Sequence, residues 1–180
     1  MGLANKITIT RILLVPIFMA FLLSAPQPLG SYVAVFIFAI AAITDSVDGY
    51  IARSQKQVTV FGQLIDPLAD KLLVSAALIS LVGLNRLSAW VAVVIIAREF
   101  AVSGLRLVAL SENKVIPASI WGKLKTISQI IAIILTILNI PYLIFGAPIG
   151  WLAMAVALVL TVLSGIDYFT KLRGVLLPAD

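Results

Sequence analysis

Apolar residues run through this chain in six long blocks, each ended by a short polar or turn-forming stretch. The blocks cover roughly 6–24, 31–53, 62–83, 88–110, 120–139 and 148–171. A membrane-crossing helix needs about 20 mostly apolar residues, and each block approaches that length. Three connections carry turn residues: Ala25-Pro-Gln-Pro-Leu-Gly30, then Gly83 to Ser88, then Asn139 to Gly150 with Pro141, Gly146 and Pro148. Proline and glycine at this density punctuate helices. The pattern predicts an all-α integral membrane protein of six transmembrane helices, forming one membrane-embedded domain over 1–180.

Charge sorts by side. The three turn-rich connections hold a single basic residue, Arg86. The opposite side holds Lys6, Arg11, Arg53, Lys56, Lys71, Arg106, Lys114, Lys123, Lys125, Lys171 and Arg173, while Arg98 lies mid-span. Basic residues concentrate in cytoplasmic loops, so both termini are expected in the cytoplasm, and an even number of spans agrees. The first block has the basic start and apolar stretch of a signal peptide. Pro26 directly after Ala25, the plausible cleavage residue, argues against cleavage.

Composition narrows the chemistry. The chain is 62% hydrophobic and 12% charged, against roughly 25% charged in soluble domains, so apolar surface must face lipid. Cys and His are both absent. That removes disulfides, thiol nucleophiles, imidazole bases and Cys/His zinc sites. A bound metal must then be held by oxygen, and a general base is expected to be a carboxylate. The net charge of +5 fits cytoplasmic loops and anionic lipid, not nucleic acid.

The informative stretch is Thr44-Asp-Ser-Val-Asp-Gly-Tyr-Ile-Ala-Arg53, followed by Gly62-Gln-Leu-Ile-Asp-Pro-Leu-Ala-Asp-Lys71. Asp45 and Asp48 are three apart, and Asp66 and Asp70 are four apart. Residues at those spacings share a helix face. The short connection from Ser54 to Phe61 makes the two helices antiparallel neighbours, with both pairs at matching depth near the cytoplasmic end. Four carboxylates in apolar surroundings repel one another and lose hydration. Arg53, Lys56 and Lys71 are too few to offset them. One or two divalent cations would, and all-oxygen ligation favours Mg²⁺, Mn²⁺ or Ca²⁺. Helix-end salt bridges are the plainer alternative. Gly49, Ala52 and Gly62 would let another backbone or a flat ligand approach closely, or serve only helix packing.

These residues resemble the signature of the CDP-alcohol phosphotransferases. The pattern is Asp-x-x-Asp-Gly-x-x-Ala-Arg, eight residues, then Gly-x-x-x-Asp-x-x-x-Asp. Asp45, Asp48, Gly49, Ala52, Arg53, Gly62, Asp66 and Asp70 fill every position. Finer features are similar to the bacterial phosphatidylglycerophosphate synthases: the opening Asn5-Lys-Ile-Thr8-Ile-Thr-Arg11, the run Asp66 to Leu73, and Ala97-Arg-Glu-Phe100 ahead of Gly104-Leu-Arg106. The resemblance implies transfer of a phosphatidyl group from CDP-diacylglycerol to glycerol 3-phosphate, with release of CMP. It implies that Asp45, Asp48 and Asp66 ligate two Mg²⁺ or Mn²⁺ ions, and that Asp70 both touches a metal and takes the acceptor hydroxyl proton. It places Asp45, Gly49, Arg53 and Gly62 at the cytidine diphosphate. Asn5 and Thr8 are candidates for the same ligand, or simply open a capped helix. A homodimer is implied by resemblance alone.

The acceptor's phosphate needs cations. A charge in mid-span is costly and therefore a functional candidate, which singles out Arg98. Glu99 beside it is expected to point elsewhere, because adjacent helical side chains do not face each other, leaving Arg98 open to a ligand. Arg106 lies two turns nearer the cytoplasm, Lys123 and Lys125 open the fifth helix, and Lys71 follows Asp70. Lys123 and Lys125 could instead be snorkelling topology charges. Asp167 is expected to pair with Lys171, four residues on. Sister enzymes of the resembled family accept inositol phosphate, serine or phosphatidylglycerol. A rival of another class is a divalent-cation transporter, but no carboxylate continues the four Asp across to the far face. The expected location is the cell membrane, multi-pass, with the active site facing the cytoplasm.

Overall fold

The chain forms six helices, α1 Leu3–Ser24, α2 Leu29–Gln55, α3 Val60–Gly83, α4 Ala89–Ser111, α5 Ile120–Leu138 and α6 Ile149–Leu176. The computed structural model describes the backbone over 3–55, 60–111, 119–144 and 146–176. It describes side chains over 9–44, 69, 71–109, 119–143, 146–171 and 173. The helices match the six apolar blocks to within a few residues, with α6 continuing past Lys171. The last turn-rich connection holds more order than the sequence suggested. Strands β1 Leu143–Ile144 and β2 Ala147–Pro148 pair antiparallel, Leu143 against Pro148 and Ile144 against Ala147. Gly146 makes the turn possible at φ +79°, a region open to glycine because it lacks Cβ.

Helix ends follow local chemistry. Ser119 caps α5, its Oγ accepting the Gly122 N–H at 3.1 Å, which satisfies one of the orphan donors of the first turn. Asn139 ends α5 in the left-handed region, a common way to close a helix.

The helices gather into two compact units, Met1–Arg86 and Leu87–Asp180. In the first, α1 packs against α2 and α3, which also meet each other. Phe18 of α1 and Phe38 of α2 lie at 5.9 Å between ring centroids in its core, with Leu22, Leu73 and Leu81 also buried. At the α1–α2 corner, a Cβ on Gly30 would sit 2.6 Å from the Phe21 carbonyl oxygen, so only glycine lets the corner close this tightly. In the second unit, α6 packs against α4 and α5. Ile95, Ile133, Ile137 and Ala157 are buried there.

The polarity of inside and outside fits lipid. Buried positions include Ser31, Ser80, Thr136, Thr161 and Ser164, whereas Phe36, Trp90, Ile120 and Trp151 are each more than half exposed. Extensive exposed apolar surface marks contact with a membrane or with another protein. Ile120–Leu138 and Ile149–Lys171 are long and apolar enough to cross a membrane. Among the described residues, Ile9–Ser24, Leu29–Thr44 and Lys71–Gly83 are shorter apolar helical stretches. Three charges, Arg98, Glu99 and Arg106, interrupt the apolar run of α4.

Candidate functional site

Backbone and sequence place the acidic pairs. Asp45 and Asp48 fall on the continuous helix α2, and Asp66 and Asp70 on the continuous helix α3. The helical spacing that puts each pair on one face is therefore met. Both helices belong to the first unit and contact each other. The donor set is oxygen alone, in a chain without His or Cys, which suits a hard divalent cation. The side chains of Asn5, Thr8, Asp45, Asp48, Gly49, Arg53, Gly62, Asp66 and Asp70 lie outside the described residues.

Next to this stretch is a cleft. Thr10, Arg11 and Leu14 of α1 and Ile40, Ala41 and Thr44 of α2 line about 220 Å³. It reaches Thr44, the residue before Asp45. Arg11 is only 3% exposed. The sequence had counted Arg11 as a topology charge. A snorkelling charge would be exposed, so the burial of Arg11 corrects that reading. Lys71, also a candidate, is half-buried on α3 of this unit.

The second unit holds a compact polar cluster. Arg98 Nη2 donates to Ser164 Oγ of α6 at 2.5 Å, and Arg98 Nη1 lies 3.3 Å from Glu99 Oε1. The Lys125 ammonium of α5 contacts the same Glu99 oxygen. Gly165 lies against the arginine, and a Cβ there would just touch Arg98 Cγ at 3.4 Å. The expectation that Glu99 points away from Arg98 is corrected. Adjacent Cβ atoms do diverge on a helix, but these two side chains are long enough to converge at their tips, drawn together in a weakly polar interior.

The structure separates the remaining candidates. Lys125 is 5% exposed, whereas Lys123 is exposed. Arg106 is exposed on α4, its Cζ 5.9 Å from the ring centroid of the buried Tyr168. That distance is within cation–π range. Asp167 pairs with Lys171 at 2.8 Å, as its spacing predicted. Glu99, Gln129, Ser164 and Tyr168 escaped the sequence reading as site residues. Glu99 and the small pair Ser164-Gly165 left faint signals, an acid in mid-span and room beside a buried helix. Gln129 left one as well, a long amide one turn after Lys125.

Comparison with known proteins gives consistent matches. The profile of the CDP-alcohol phosphatidyltransferase family matches residues 1–163. A Bacillus subtilis protein named CDP-diacylglycerol–glycerol-3-phosphate 3-phosphatidyltransferase is 47% identical, with 94% of each chain covered. A Mycobacterium tuberculosis protein named probable phosphatidylglycerophosphate synthase is 42% identical over 94% of this chain and 81% of its own. A Rickettsia bellii protein with the same name as the Bacillus one is 38% identical, with 93% of each chain covered.

Proposed function

The chain belongs to the CDP-alcohol phosphatidyltransferase family, and on that premise we propose how its residues divide the work. The reaction is transfer of the phosphatidyl group from CDP-diacylglycerol to glycerol 3-phosphate, giving phosphatidylglycerophosphate and CMP. The observation that carries the acceptor side is the cluster of half-buried Arg98 and buried Lys125 on one carboxylate. Two cations at low exposure, in a family that works on phosphates, suit the phosphate of the acceptor. Arg supplies a forked contact and Lys a point charge. Arg106 and Lys123 extend the basic surroundings in the second unit, and Lys71 is a further candidate on α3 of the first.

On the donor side, Asp45, Asp48, Asp66 and Asp70 would hold one or two Mg²⁺ or Mn²⁺ ions. Bound there, the ions would neutralise charge on the pyrophosphate. Gly49 and Gly62 leave room for the cytidine diphosphate, and Arg53 supplies a positive charge to it. Asn5 and Thr8 are placed at the same ligand. Asp70 accepts the proton from the attacking hydroxyl of glycerol 3-phosphate, because a carboxylate is the base at hand in a chain without His. The hydroxyl oxygen bonds to the phosphorus of the phosphatidyl group, and the bond from that phosphorus to the CMP oxygen breaks.

The six helices are read as six spans of the cell membrane, with both termini and the reacting groups on the cytoplasmic side and the active form a homodimer. The test is CMP release by detergent-purified protein supplied with CDP-diacylglycerol. Release should require glycerol 3-phosphate and Mg²⁺ or Mn²⁺, and stop in excess chelator. Release driven better by inositol phosphate or serine would overturn the acceptor, and full activity in chelator would overturn the metal site.

A further inference from the structure

A phosphate site needs cations and N–H donors, and a carboxylate in it opposes the ligand. Yet Glu99 Oε1 contacts both Arg98 Nη1, at 3.3 Å, and the Lys125 ammonium. One oxygen spanning a guanidinium and an ammonium stands where a phosphate oxygen would stand. The Glu99 and Arg98 side chains are 14% exposed and that of Lys125 is 6% exposed, so dissolved salt screens them weakly. Two cations face one carboxylate in this contact group. Arg98 Nε and Gln129 Nε2 are buried without a hydrogen-bond partner among the described residues. Gln129 is 2% exposed and lies one turn beyond Lys125 on α5. Buried unsatisfied donors are costly, and a ligand with several acceptor oxygens would satisfy them.

Resting on the acceptor-phosphate reading above, we propose that Glu99 is a resident stand-in anion that the acceptor's phosphate displaces from Arg98 and Lys125. Glu99 offsets charge on the half-buried Arg98 and the buried Lys125 when no acceptor is bound. A phosphate dianion carries more charge and more acceptor oxygens than one carboxylate, so it wins the exchange, and weaker anions do not. Glu99 thereby sets acceptor affinity and selects against stray anions. The sign of its effect follows from charge. Removing a negative group beside a bound dianion strengthens attraction at close range. This outweighs the lost ordering of one lysine side chain.

The test uses full-length protein in lipid nanodiscs. Glu99→Gln keeps size and one acceptor oxygen and removes the charge. The KM for glycerol 3-phosphate should fall about tenfold, which is about 1.4 kcal/mol, with the KM for CDP-diacylglycerol unchanged. Inhibition by inorganic phosphate should strengthen by a similar factor. An unchanged or raised acceptor KM in folded variant overturns the proposal. A second measurement needs no charge-altered Glu99. The chain has two glutamates, Glu99 and Glu112, so carboxyl-¹³C glutamate labelling gives two signals, assigned with Glu112→Gln. Titration with glycerol 3-phosphate should shift the Glu99 signal saturably, and a signal that stays put overturns the displacement. The two levels of the reading fail differently. If Arg98→Ala and Lys125→Ala leave the acceptor KM alone, the phosphate site itself is wrong. If they raise it while Glu99→Gln leaves it alone, Glu99 alone is wrong.

Discussion

In α2 and α3 acidic residues recur in pairs at helical spacing, whereas among the described side chains of α4 and α5 the half-buried Arg98 and the buried Lys125 share Glu99. Asp45, Asp48, Asp66 and Asp70 outnumber their basic sequence neighbours Arg53, Lys56 and Lys71. Arg98 and Lys125 in turn outnumber Glu99. The acidic pairs of the first unit and the Arg98–Glu99–Lys125 contact of the second thus concentrate charge of opposite sign within apolar helices, where charge is costly. On the proposed reading the acidic pairs take cations and the basic cluster takes an anion. Phosphoryl-type transfer uses both kinds of group, since a pyrophosphate donor and a phosphate-bearing acceptor each carry charge that must be neutralised.

The acidic unit gives the largest expected effect. Asp70→Asn removes the proposed base and one metal oxygen but leaves three carboxylates. General bases typically contribute 10²–10⁴-fold, so turnover should drop by at least about a hundredfold. CDP-diacylglycerol binding, measured directly by retention on the purified variant, should survive. Near-normal turnover would remove Asp70 from catalysis and leave the acidic unit a purely electrostatic holder of the donor.

The basic unit gives an intermediate effect. Arg98→Ala should raise the KM for glycerol 3-phosphate and leave that for CDP-diacylglycerol nearly unchanged. A charge-assisted bond contributes roughly 1.5–3 kcal/mol, which is about a 10- to 150-fold change. Loss of Arg98 also strips Ser164 Oγ of its partner and leaves Glu99 to Lys125 alone. Detergent-extracted yield and thermal stability must therefore be followed in parallel. An unchanged acceptor KM in well-folded protein would make Arg98 a structural ion-pair member.

The same contrast explains what could be read from the sequence. Six helices were legible because apolar blocks of membrane length leave little other choice of element. The helical placement of the acidic pairs was legible because their spacing is local, three and four residues within single helices. The basic cluster was legible only in part. Arg98 stood out by its mid-span position, but its contact with Ser164 joins residues 66 apart in sequence, and no local pattern encodes that. Lys123 and Lys125 looked alike in the sequence, since both open α5. Arg11 was lost in the tally of topology charges, because a basic residue near a cytoplasmic helix end has the same one-letter pattern whether it is buried or snorkels. The β1–β2 hairpin hid behind Pro148 and Gly146, which read as loop.

The smallest effect is expected at Lys123, and it sharpens the contrast inside the basic unit itself. Lys123 and Lys125 are two residues apart on α5, so they point about 200° apart around the helix. The structure agrees, with Lys125 buried at 5% exposure against Glu99 and Lys123 exposed. An exposed ammonium is hydrated and screened, and such charges contribute about 0–1 kcal/mol. Lys123→Ala should therefore change the acceptor KM by no more than about fivefold and leave kcat alone. Lys125→Ala should reach the range expected for Arg98→Ala, because it removes the buried cation on Glu99. Steady-state kinetics of the two variants at saturating CDP-diacylglycerol decide the matter. Equal losses at both positions would mean that the acceptor meets the open face of α5 as well as the buried one. The basic unit would then be a broad electrostatic surface drawing in the phosphate, with Arg98, Glu99 and Lys125 as its deepest point rather than the whole of the site.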